Sequence, residues 1–338
     1  MPNNLKFNAV KIIEKNGKRL LELKKRALPL LNPNEITIRV ACAGINAPDI
    51  LQVRGLYVPT KENASWLGLE VSGEVFAVGR NVTNFKVGDR VVALCNGGGY
   101  GEFVNVVASQ ALPLPKNWSF VEGATIPETF FTITQTLLMK AKLKKNKFVL
   151  IHGSSGGLGA SAIQLVKYYG AQPIALVSSN EKKQYVKNLG AEFIINYKQS
   201  DFTQEVLEIT KGKGADVIID IIGGDVFVKN ISACAQNGTI ILLGLLGGIK
   251  AEINLAPILL KNINIFGSTL GPKSTKEKAT IALYLKKNIW QALETKKIVP
   301  PFISSFNLNE ASLAHEQMQT KEHFGKIVLI SDFGKNRL

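Results

Sequence analysis

The sequence predicts an α/β protein with two domains, a β-rich module and a doubly wound parallel sheet. Its 338 residues exceed the length of one ordinary hydrophobic core. Roughly the first 120 residues form short strand-like runs between turns, and from about residue 122 apolar runs alternate with amphipathic ones. A composition of 46% hydrophobic and 20% charged residues is typical of folded proteins and excludes a disordered chain.

The β-rich module is predicted from four strand-like segments that end in turns containing Gly, Asn or Asp. These segments are AVKIIEKNG (9–17), EITIRVACAGI (35–45), EVSGEVFAVG (70–79) and GDRVVAL (88–94). Short strands joined by tight turns favour antiparallel pairing.

The parallel sheet is predicted from apolar runs that alternate with helical segments. The strands are KFVLIHG (147–153), QPIALVSS (172–179), FIINY (193–197), DVIIDIIGG (216–224) and GTIILLGLLGG (238–248), and the helices lie in 158–170, 181–190 and 204–212. This alternation indicates βαβ units, whose strands pair in parallel.

The C-terminal tail begins after INIFGSTLG (263–271). It contains a long predicted helix from about Lys276 to Thr295, a strand at PFISSFNL, a helix at ASLAHEQMQ and a last strand at GKIVLIS. Because this tail is too small to fold alone, we expect it to complete the first module. The expected domains are therefore residues 1–123 with 271–338, and residues 124–270.

Cysteine and histidine are scarce in this chain. Cys42, Cys95 and Cys234 are an odd, widely spaced set that cannot form a disulfide framework and fits a reducing compartment. The three cysteines and three histidines lack the spacing of a structural zinc site. No segment resembles a secretion signal or membrane span, so we expect a cytoplasmic protein.

The chain carries a formal net charge of +15. Composition leaves open a nucleic-acid partner, another acidic partner, or a soluble coat. The basic residues are mainly lysines in separate runs, such as KAKLKKNK (140–147) and KSTKEK (273–278). This dispersal favours solvated surfaces over a nucleic-acid groove, since arginine carries most bidentate base recognition.

A glycine-rich turn links the strand KFVLIHG to the helix that follows it. Gly153, Gly156, Gly157 and Gly159 would let the backbone approach a diphosphate, while the helix N-terminus supplies N–H groups. The pattern is a variant of G-x-G-x-x-G with Ser154 in the first position. Strand before and helix after is the required context, which favours a dinucleotide site over a turn built for geometry alone.

The next strand ends in Val177-Ser178-Ser179-Asn180, without the carboxylate that usually binds the ribose 2′-hydroxyl of NAD. The two serines, Lys182 and Tyr197 suit a 2′-phosphate, so NADPH is preferred over NADH. Glu181 is a contrary signal because an inward carboxylate would repel that phosphate. Lys182 and Tyr197 also admit the reading of ordinary surface residues.

Eight segments in this order resemble the medium-chain dehydrogenase/reductase superfamily, and within it the zinc-independent, zeta-crystallin-like quinone oxidoreductases, near their tumour-suppressor-inducible members. The segments are GINAPDILQVRGLY (44–57), LGLEVSGEV (67–75), VGDRVVAL (87–94), GGYGEFV (98–104), IPETFFT (126–132), HGSSGGLG (152–159), INYK (195–198) and GKIVL (325–329). The resemblance implies a GroES-like β-rich catalytic domain and a Rossmann domain.

Zinc-dependent relatives have a cysteine where this chain has Asn46 and a histidine where it has Leu69. The resemblance therefore implies metal-free hydride transfer from nicotinamide C4 to a quinone. Tyr57 matches the acceptor-site tyrosine of the family, where its ring could stack on a quinone. Asn46 is implied as a second catalytic residue, although its place in Gly-Ile-Asn-Ala-Pro-Asp also suits a turn, and Asp49 is expected to cap the following helix.

The resemblance also assigns residues to parts of the cofactor. Asn46, Thr132 and, more weakly, Lys326 are expected near the nicotinamide end. The diphosphate is assigned to Ser155, Gly156, Gly157 and Leu158, the 2′-phosphate to Ser178, Ser179, Lys182 and Tyr197, and the carboxamide to the backbone at Gly244, Leu245, Leu246, Ser268, Thr269 and Leu270. Phe324 departs from a tail position that is often polar.

Three hypotheses follow: an NADPH-dependent quinone reductase; a reductase of enones, enals or enoyl thioesters; and an RNA-binding protein whose NADPH pocket is regulatory. The dispersed lysines lack interleaved aromatic residues, which disfavours the RNA hypothesis. The family also implies a homodimer paired through the edge strand around INIFGSTL.

Overall fold

Two units with separate β-sheets make up the computed structural model, which describes residues 5–57, 60, 63–320 and 322–337. The first unit contains the described residues up to Phe131 and from Gly271 onwards, and the second is Thr132–Leu270. The sequence-predicted boundary placed residues 124–131 in the second domain instead. Ala124, Ile126 and Phe130 are fully or nearly fully buried, and the N–H of Glu128 donates to Glu70, which explains why this segment clusters with the first unit.

The first unit is built on a seven-stranded sheet and a two-stranded hairpin. Its strands are β1 (Lys6–Lys15), β2 (Lys18–Ala27), β3 (Glu35–Gly44), β4 (Glu70–Val78), β5 (Arg90–Leu94), β6 (Phe103–Val107), β7 (Ala111–Pro113), β14 (Ile303–Asn307) and β15 (Lys326–Ile330). Its helices are α1 (Ala47–Val53), α2 (Phe120–Gly123), α3 (Pro127–Ile133, which ends in the second unit), α9 (Thr275–Asn288), α10 (Trp290–Glu294), α11 (Ala311–Thr320) and α12 (Asp332–Lys335).

The tail of the chain closes the sheet of the first unit. β15 pairs antiparallel with β3 and parallel with β14, so the sheet runs β14-β15-β3-β4-β5-β7, with β6 also paired to β3. Ile36, Val71 and Ile327, from three of these strands, meet in one apolar core. The hairpin β1–β2 turns at Asn16-Gly17, where both residues have positive φ, the geometry of a two-residue type I′ turn.

The long helix predicted over residues 276–295 is two helices, α9 and α10, with a break at Ile289. Ile289, Trp290 and Leu293 are all buried, as is Leu285 one turn earlier. Leu285, Ile289 and Leu293 lie four residues apart, which is the spacing of one helix face, so the apolar stripe continues across the break. At Ile289 the backbone leaves helical geometry, with φ of −123°, although its N–H still donates to the carbonyl of Leu285.

The second unit is a six-stranded parallel sheet of order β10-β9-β8-β11-β12-β13. Its strands are β8 (Phe148–Ile151), β9 (Gln172–Val177), β10 (Phe193–Asn196), β11 (Ala215–Asp220), β12 (Cys234–Leu242) and β13 (Asn264–Gly267). Its helices are α4 (Gly157–Tyr168), α5 (Asn180–Asn188), α6 (Phe202–Ile209), α7 (Gly224–Ala233) and α8 (Ala256–Leu260), preceded by a π-helix (Thr134–Lys140).

The chain order reverses between β8 and β11, which makes this edge the topological switch point of the sheet. The strand predicted over residues 238–248 instead ends at Leu242. Beyond it, Leu243 and Leu246 donate their N–H groups to Asp220 and Ile221, so the segment folds over the end of β11. The described helices include none with the length and apolar character that a bilayer crossing requires.

Candidate active site

The predicted diphosphate residues follow the carboxyl end of β8, beside the switch point. Gly153 has φ of 62°, a left-handed conformation that favours glycine. A Cβ on Gly159 would lie 2.4 Å from the carbonyl oxygen of Gly153, so only glycine allows helix α4 to pack this closely. Gly156 is the N-cap of this helix, and Gly157 and Leu158 form its first turn.

Ser154 has a structural reason to occupy the first position of the glycine pattern. Its hydroxyl donates to the carbonyl of Ile151 at 2.6 Å and accepts the N–H of Leu176 at 3.0 Å. A glycine could not make these bonds, which join the turn to β8 and β9. The turn is therefore held rigid, with the N-terminal N–H groups of a 12-residue helix available to an anion. This cradle fits the diphosphate of a dinucleotide.

Three buried polar side chains, those of His152, Asn230 and Asp220, form a hydrogen-bonded series beside the same turn, which the sequence analysis did not predict. His152 Nε2 lies 2.8 Å from Asn230 Oδ1, and Asn230 Nδ2 donates to Asp220 Oδ2 at 3.0 Å. Asp220 Oδ1 accepts the N–H groups of Ile222 and Gly223. Burial lowers the pKa of His152, and the neutral ring donates from Nε2 because Asn230 presents its oxygen. The series links the ends of β8 and β11.

The predicted 2′-phosphate residues follow β9 and β10. Ser179 caps α5 by accepting the N–H of Lys182 at 3.3 Å, and Tyr197, 49% exposed, donates its N–H to the carbonyl of Val177. A hydrogen bond from Ser179 lowers the pKa of the fully exposed Glu181 carboxyl. An ionised acid and a lysine therefore stand in the first turn of the same helix.

The predicted carboxamide residues follow β12 and β13. Gly244, Leu245 and Leu246 begin the segment that folds over β11, and the two leucines are about half exposed. Ser268 donates its N–H to the carbonyl of Leu242 at 3.0 Å, which holds 268–270 beside the end of β12. Since carboxyl ends of parallel strands share one edge, these segments lie along the same edge as the glycine-rich turn.

Thr132 is the first residue of the second unit and is partly exposed. Its carbonyl accepts a hydrogen bond from the hydroxyl of Thr136 at 2.7 Å, inside the π-helix. π-Helical turns are rare and occur frequently at functional sites. The predicted nicotinamide contact thus lies beside an uncommon backbone feature.

A buried ion pair forms the centre of the polar cluster in the first unit. Lys326 Nζ lies 2.5 Å from Glu70 Oε1, and the two side chains are 4% and 0% exposed. The ammonium also donates to Asn46 Oδ1 at 2.7 Å and to the carbonyl of Ile45 at 2.9 Å. Asn46 Nδ2 donates to Glu70 Oε1 at 2.8 Å. Asn46 is therefore held at both ends of its amide, and its predicted catalytic role stays a prediction.

Asp49 is a second buried carboxyl of this cluster. It accepts the N–H of Asn46 at 2.8 Å, in the first turn of α1, and the N–H of Gly68 at 3.2 Å. Burial raises the pKa of Asp49 to about 7, although hydrogen bonds from Asn46, Tyr100 and Gly68 lower it. The predicted capping role of Asp49 is confirmed, because its carboxyl satisfies the backbone N–H at the start of the helix.

The residues at this position do not fit a zinc ion. Asn46 and Leu69, which the resemblance places at the positions of a cysteine and a histidine, carry no thiolate or imidazole, and the ammonium of Lys326 already bonds to Asn46 and Glu70. Across the described ranges, three or more His, Cys, Asp or Glu side chains nowhere come together as a metal site. The cluster contains the ammonium of Lys326 with the amide of Asn46 and the carboxylate of Glu70 as its partners, and it lacks the thiolates and imidazoles that bind zinc.

Tyr57, Glu128 and Lys278 form a further group in the first unit. Glu128 donates its N–H to Glu70 Oε2 at 2.8 Å. Burial raises the pKa of Tyr57, and the negative charge of Glu128 raises it further. The Tyr57 hydroxyl lies against Gly271, where a Cβ would overlap it. Lys278, only 4% exposed, donates to Asn96 Oδ1 at 2.8 Å and to the Gly271 carbonyl at 3.0 Å.

Comparisons with known proteins agree with this architecture. Residues 32–116 match the alcohol dehydrogenase GroES-like domain, and residues 157–286 match the model named zinc-binding dehydrogenase. The chain is 31% identical to a quinone oxidoreductase-like protein 2 homolog of Nematostella vectensis, over 93% of this chain and 86% of the relative.

Two solved structures have the same fold over nearly the whole chain. The Escherichia coli quinone oxidoreductase, complexed with NADPH, has a TM-score of 0.85 and 28% identity, covering 96% of this chain and 99% of that one. The CurK enoyl reductase has a TM-score of 0.81 and 27% identity, covering 96% and 99%.

A GroES-like sheet and a dinucleotide-binding parallel sheet on one chain define an oxidoreductase of the medium-chain dehydrogenase/reductase superfamily. Within it, the chain belongs to the quinone oxidoreductase family. The predicted fold class and family are therefore confirmed. The roles given to individual site residues stay predictions.

Proposed function

We propose that this chain is a metal-free, NADPH-dependent quinone reductase. The observation that carries the proposal is the diphosphate cradle at Gly153–Gly159 in the second unit. The first unit supports the metal-free part of the proposal, because the Lys326 ammonium there bonds to Asn46, where the resemblance implies a metal-binding cysteine in zinc-dependent relatives. When bound, NADPH would supply a hydride from nicotinamide C4. Quinones are electrophilic enough to accept a hydride without a metal to polarise them.

The chain's own residues would bind and orient. Gly157 and Leu158, with Ser155, would hold the diphosphate through backbone N–H groups. Gly156, whose N–H donates to the carbonyl of Gly153, would let the backbone approach it closely. The 2′-phosphate would be bound by Ser178, Ser179, Lys182 and Tyr197, and the carboxamide by the backbone of Gly244–Leu246 and Ser268–Leu270. Asn46 and Thr132 would each contact the nicotinamide end, and Lys326 would act there by holding Asn46. Tyr57 would stack on the quinone.

The test measures oxidation of NADPH and of NADH with 1,4-benzoquinone and with 9,10-phenanthrenequinone, before and after treatment with a chelator. We expect quinone-dependent turnover, a higher kcat/KM with NADPH, and no effect of the chelator. Turnover that is absent with every quinone, or that chelation abolishes, would remove the proposal.

A second candidate function is reduction of enones, enals or enoyl thioesters. The similarity to an enoyl reductase along almost the entire chain favours it. Both functions need the same hydride donor, and they differ in the acceptor. Comparing kcat/KM for a quinone, an enone and an enoyl thioester under the same conditions discriminates between them.

We also propose that the chain is a cytoplasmic homodimer paired through β13, an edge strand of its sheet. Ile265 on this strand is 40% exposed, and Leu255, Leu259 and Leu260 just before it are at least 70% exposed. Such an apolar, unpaired edge favours cover by a second copy. Sedimentation showing only a monomer would remove this proposal.

A further inference from the structure

Glu128 is a partly buried acid of the first unit that the binding roles above do not use. It stands in the first turn of α3, and its N–H donates to Glu70 Oε2 at 2.8 Å. The residue as a whole keeps partial exposure. Unlike the carboxylate of Glu70, which lies within an ion pair with Lys326, the Glu128 carboxyl receives no hydrogen bond from residues in the described part of the chain. The backbone N–H of Glu128 fixes the position of the residue, and its carboxyl can form a hydrogen bond with a bound molecule.

The charges around Glu128 come from four other segments of the same unit. They are Asp49 on α1, Glu70 on β4, Lys326 on β15, Lys278 on α9, and the titratable groups Tyr57 and Cys95. Burial acts most strongly, and the charge of Glu70 adds to it, while Lys326 and Lys278 oppose them. Together these effects raise the pKa of Glu128 to about 8. At neutral pH the group is therefore mainly a carboxylic acid, which can donate a proton.

The charge of the carboxyl also reaches the residue expected to bind the acceptor. The charge of Glu128 acts on Tyr57, whose hydroxyl lies against Gly271, and the Gly271 carbonyl accepts a hydrogen bond from Lys278. The phenol and the ammonium thus meet at Gly271, and the backbone of Glu128 is fixed to Glu70, the partner of Lys326. Neither alternative acid suits the role: the pKa of Tyr57 is raised, and Asp49 is fully buried with its oxygens on the N–H groups of Asn46 and Gly68.

We propose that Glu128 is the general acid that protonates the reduced acceptor. This inference rests on the proposed quinone reduction. The hydride brings two electrons and one proton to the quinone and leaves a hydroquinone monoanion. The O–H bond of Glu128 then breaks, its proton forms the hydroquinone O–H bond, and a carboxylate remains. Lys278 and Lys326 stabilise that carboxylate until a solvent proton restores the acid.

Glu128→Gln tests the proposal, because it keeps the size of the side chain and removes the acidic proton. Glu316→Gln, on the exposed face of α11, is the matched control. Both variants and the wild type are assayed with 2-methyl- and 2-chloro-1,4-benzoquinone, which are similar in volume. The chloro product is the weaker base and depends less on a proton donor.

We expect Glu128→Gln to lower kcat by roughly 100-fold with the methyl quinone and by roughly 10-fold with the chloro quinone. The wild-type rate falls as pH rises through about 8, where the acid ionises. This decline is absent in Glu128→Gln and present in Glu316→Gln. An equal loss with both quinones and an unchanged pH profile would indicate a structural role and overturn the proposal.

Infrared spectroscopy of the free protein gives a readout that does not depend on turnover. A protonated-carboxyl C=O band that titrates near pH 8 is expected in the wild type and in Glu316→Gln, and is missing from Glu128→Gln. If Glu128→Gln leaves this band unchanged, the inference fails even where the wild type reduces quinones. If the wild type reduces no quinone, the proposed function fails, and the proton-donor inference, which rests on it, fails too, whatever the infrared band shows.

Discussion

Lys326→Met is expected to destabilise the first unit strongly. Methionine has nearly the length of lysine but no charge, so it would leave the Glu70 carboxylate, 0% exposed, without its cation. It would also remove the N–H donors to Asn46 Oδ1 and the Ile45 carbonyl. Removing one partner of a buried ion pair leaves the other charge uncompensated and costs about 3–5 kcal/mol, so the free energy of unfolding should fall by about that amount.

Tryptophan fluorescence during urea unfolding measures this change selectively. The three tryptophans, Trp66, Trp118 and Trp290, all belong to the first unit. The control is Lys24→Met, which breaks the exposed pair with Glu22, whose side chains are 49% and 37% exposed, and should cost about 0–1 kcal/mol. The double variant Glu70→Gln/Lys326→Met removes both charges and should recover most of the lost stability.

The reasoning is refuted if Lys326→Met falls within about 1 kcal/mol of the wild type, because the buried pair would then behave as an exposed one. It is also refuted if the double variant is no more stable than Lys326→Met. In that case the destabilisation would come from lost packing rather than from an unpaired charge.

Three further predictions concern the cofactor turn, cofactor preference and acid stability. Gly159→Ala should abolish binding of NADPH because its Cβ would meet the Gly153 carbonyl at 2.4 Å. A Cβ at Gly156 would lie 3.5 Å from its nearest atom, an ordinary contact distance, so Gly156→Ala is the milder control. Equal NADPH affinity and melting temperature in Gly159→Ala and wild type would contradict this prediction. Glu181→Gln should raise the ratio of kcat/KM for NADPH over NADH about two- to threefold, a small effect because the group is fully exposed, and a ratio that shifts toward NADH would exclude repulsion. Burial lowers the pKa of His315 to about 4, below its unfolded value, so its contribution to stability is present above pH 6.5 and is lost as pH falls toward 4. Between pH 6.5 and 4 the free energy of unfolding of the wild type should therefore fall by about 3 kcal/mol more than that of His315→Gln, as measured by urea unfolding at each pH. Parallel curves of unfolding free energy against pH for the two proteins would refute this expectation.

The dinucleotide turn is the part of the site that local sequence predicts best. Its chemistry is backbone chemistry, and the glycines that permit it are adjacent in the chain. The long helix predicted over residues 276–295 is a less complete case, because its apolar pattern continues through Ile289 although the helix is interrupted there. Hydrophobic periodicity predicts the buried face of a helix but not the residue at which the helix ends.

Groups that meet only after folding escape this kind of prediction. Lys326 and Glu70 are 256 residues apart, and nothing near either residue indicates that they pair. Similarly, His152 and Asp220 each stand at a strand end, but Asn230, which joins them, comes from the middle of α7. A histidine beside a glycine-rich turn was the available signal, and without the sheet order it pointed to no partner.

The bonds of Lys326 bear on which substrates the chain can reduce. An ammonium has three N–H donors, and here Glu70, Asn46 and the Ile45 carbonyl each accept one. A catalytic metal ion can polarise a substrate oxygen, whereas this ammonium has no donor left for one. In the proposed function Lys326 would therefore orient Asn46 without activating the acceptor. Such an acceptor would have to be electrophilic by itself, as a quinone is, and the proton that completes its reduction would come from another group, the role proposed above for Glu128.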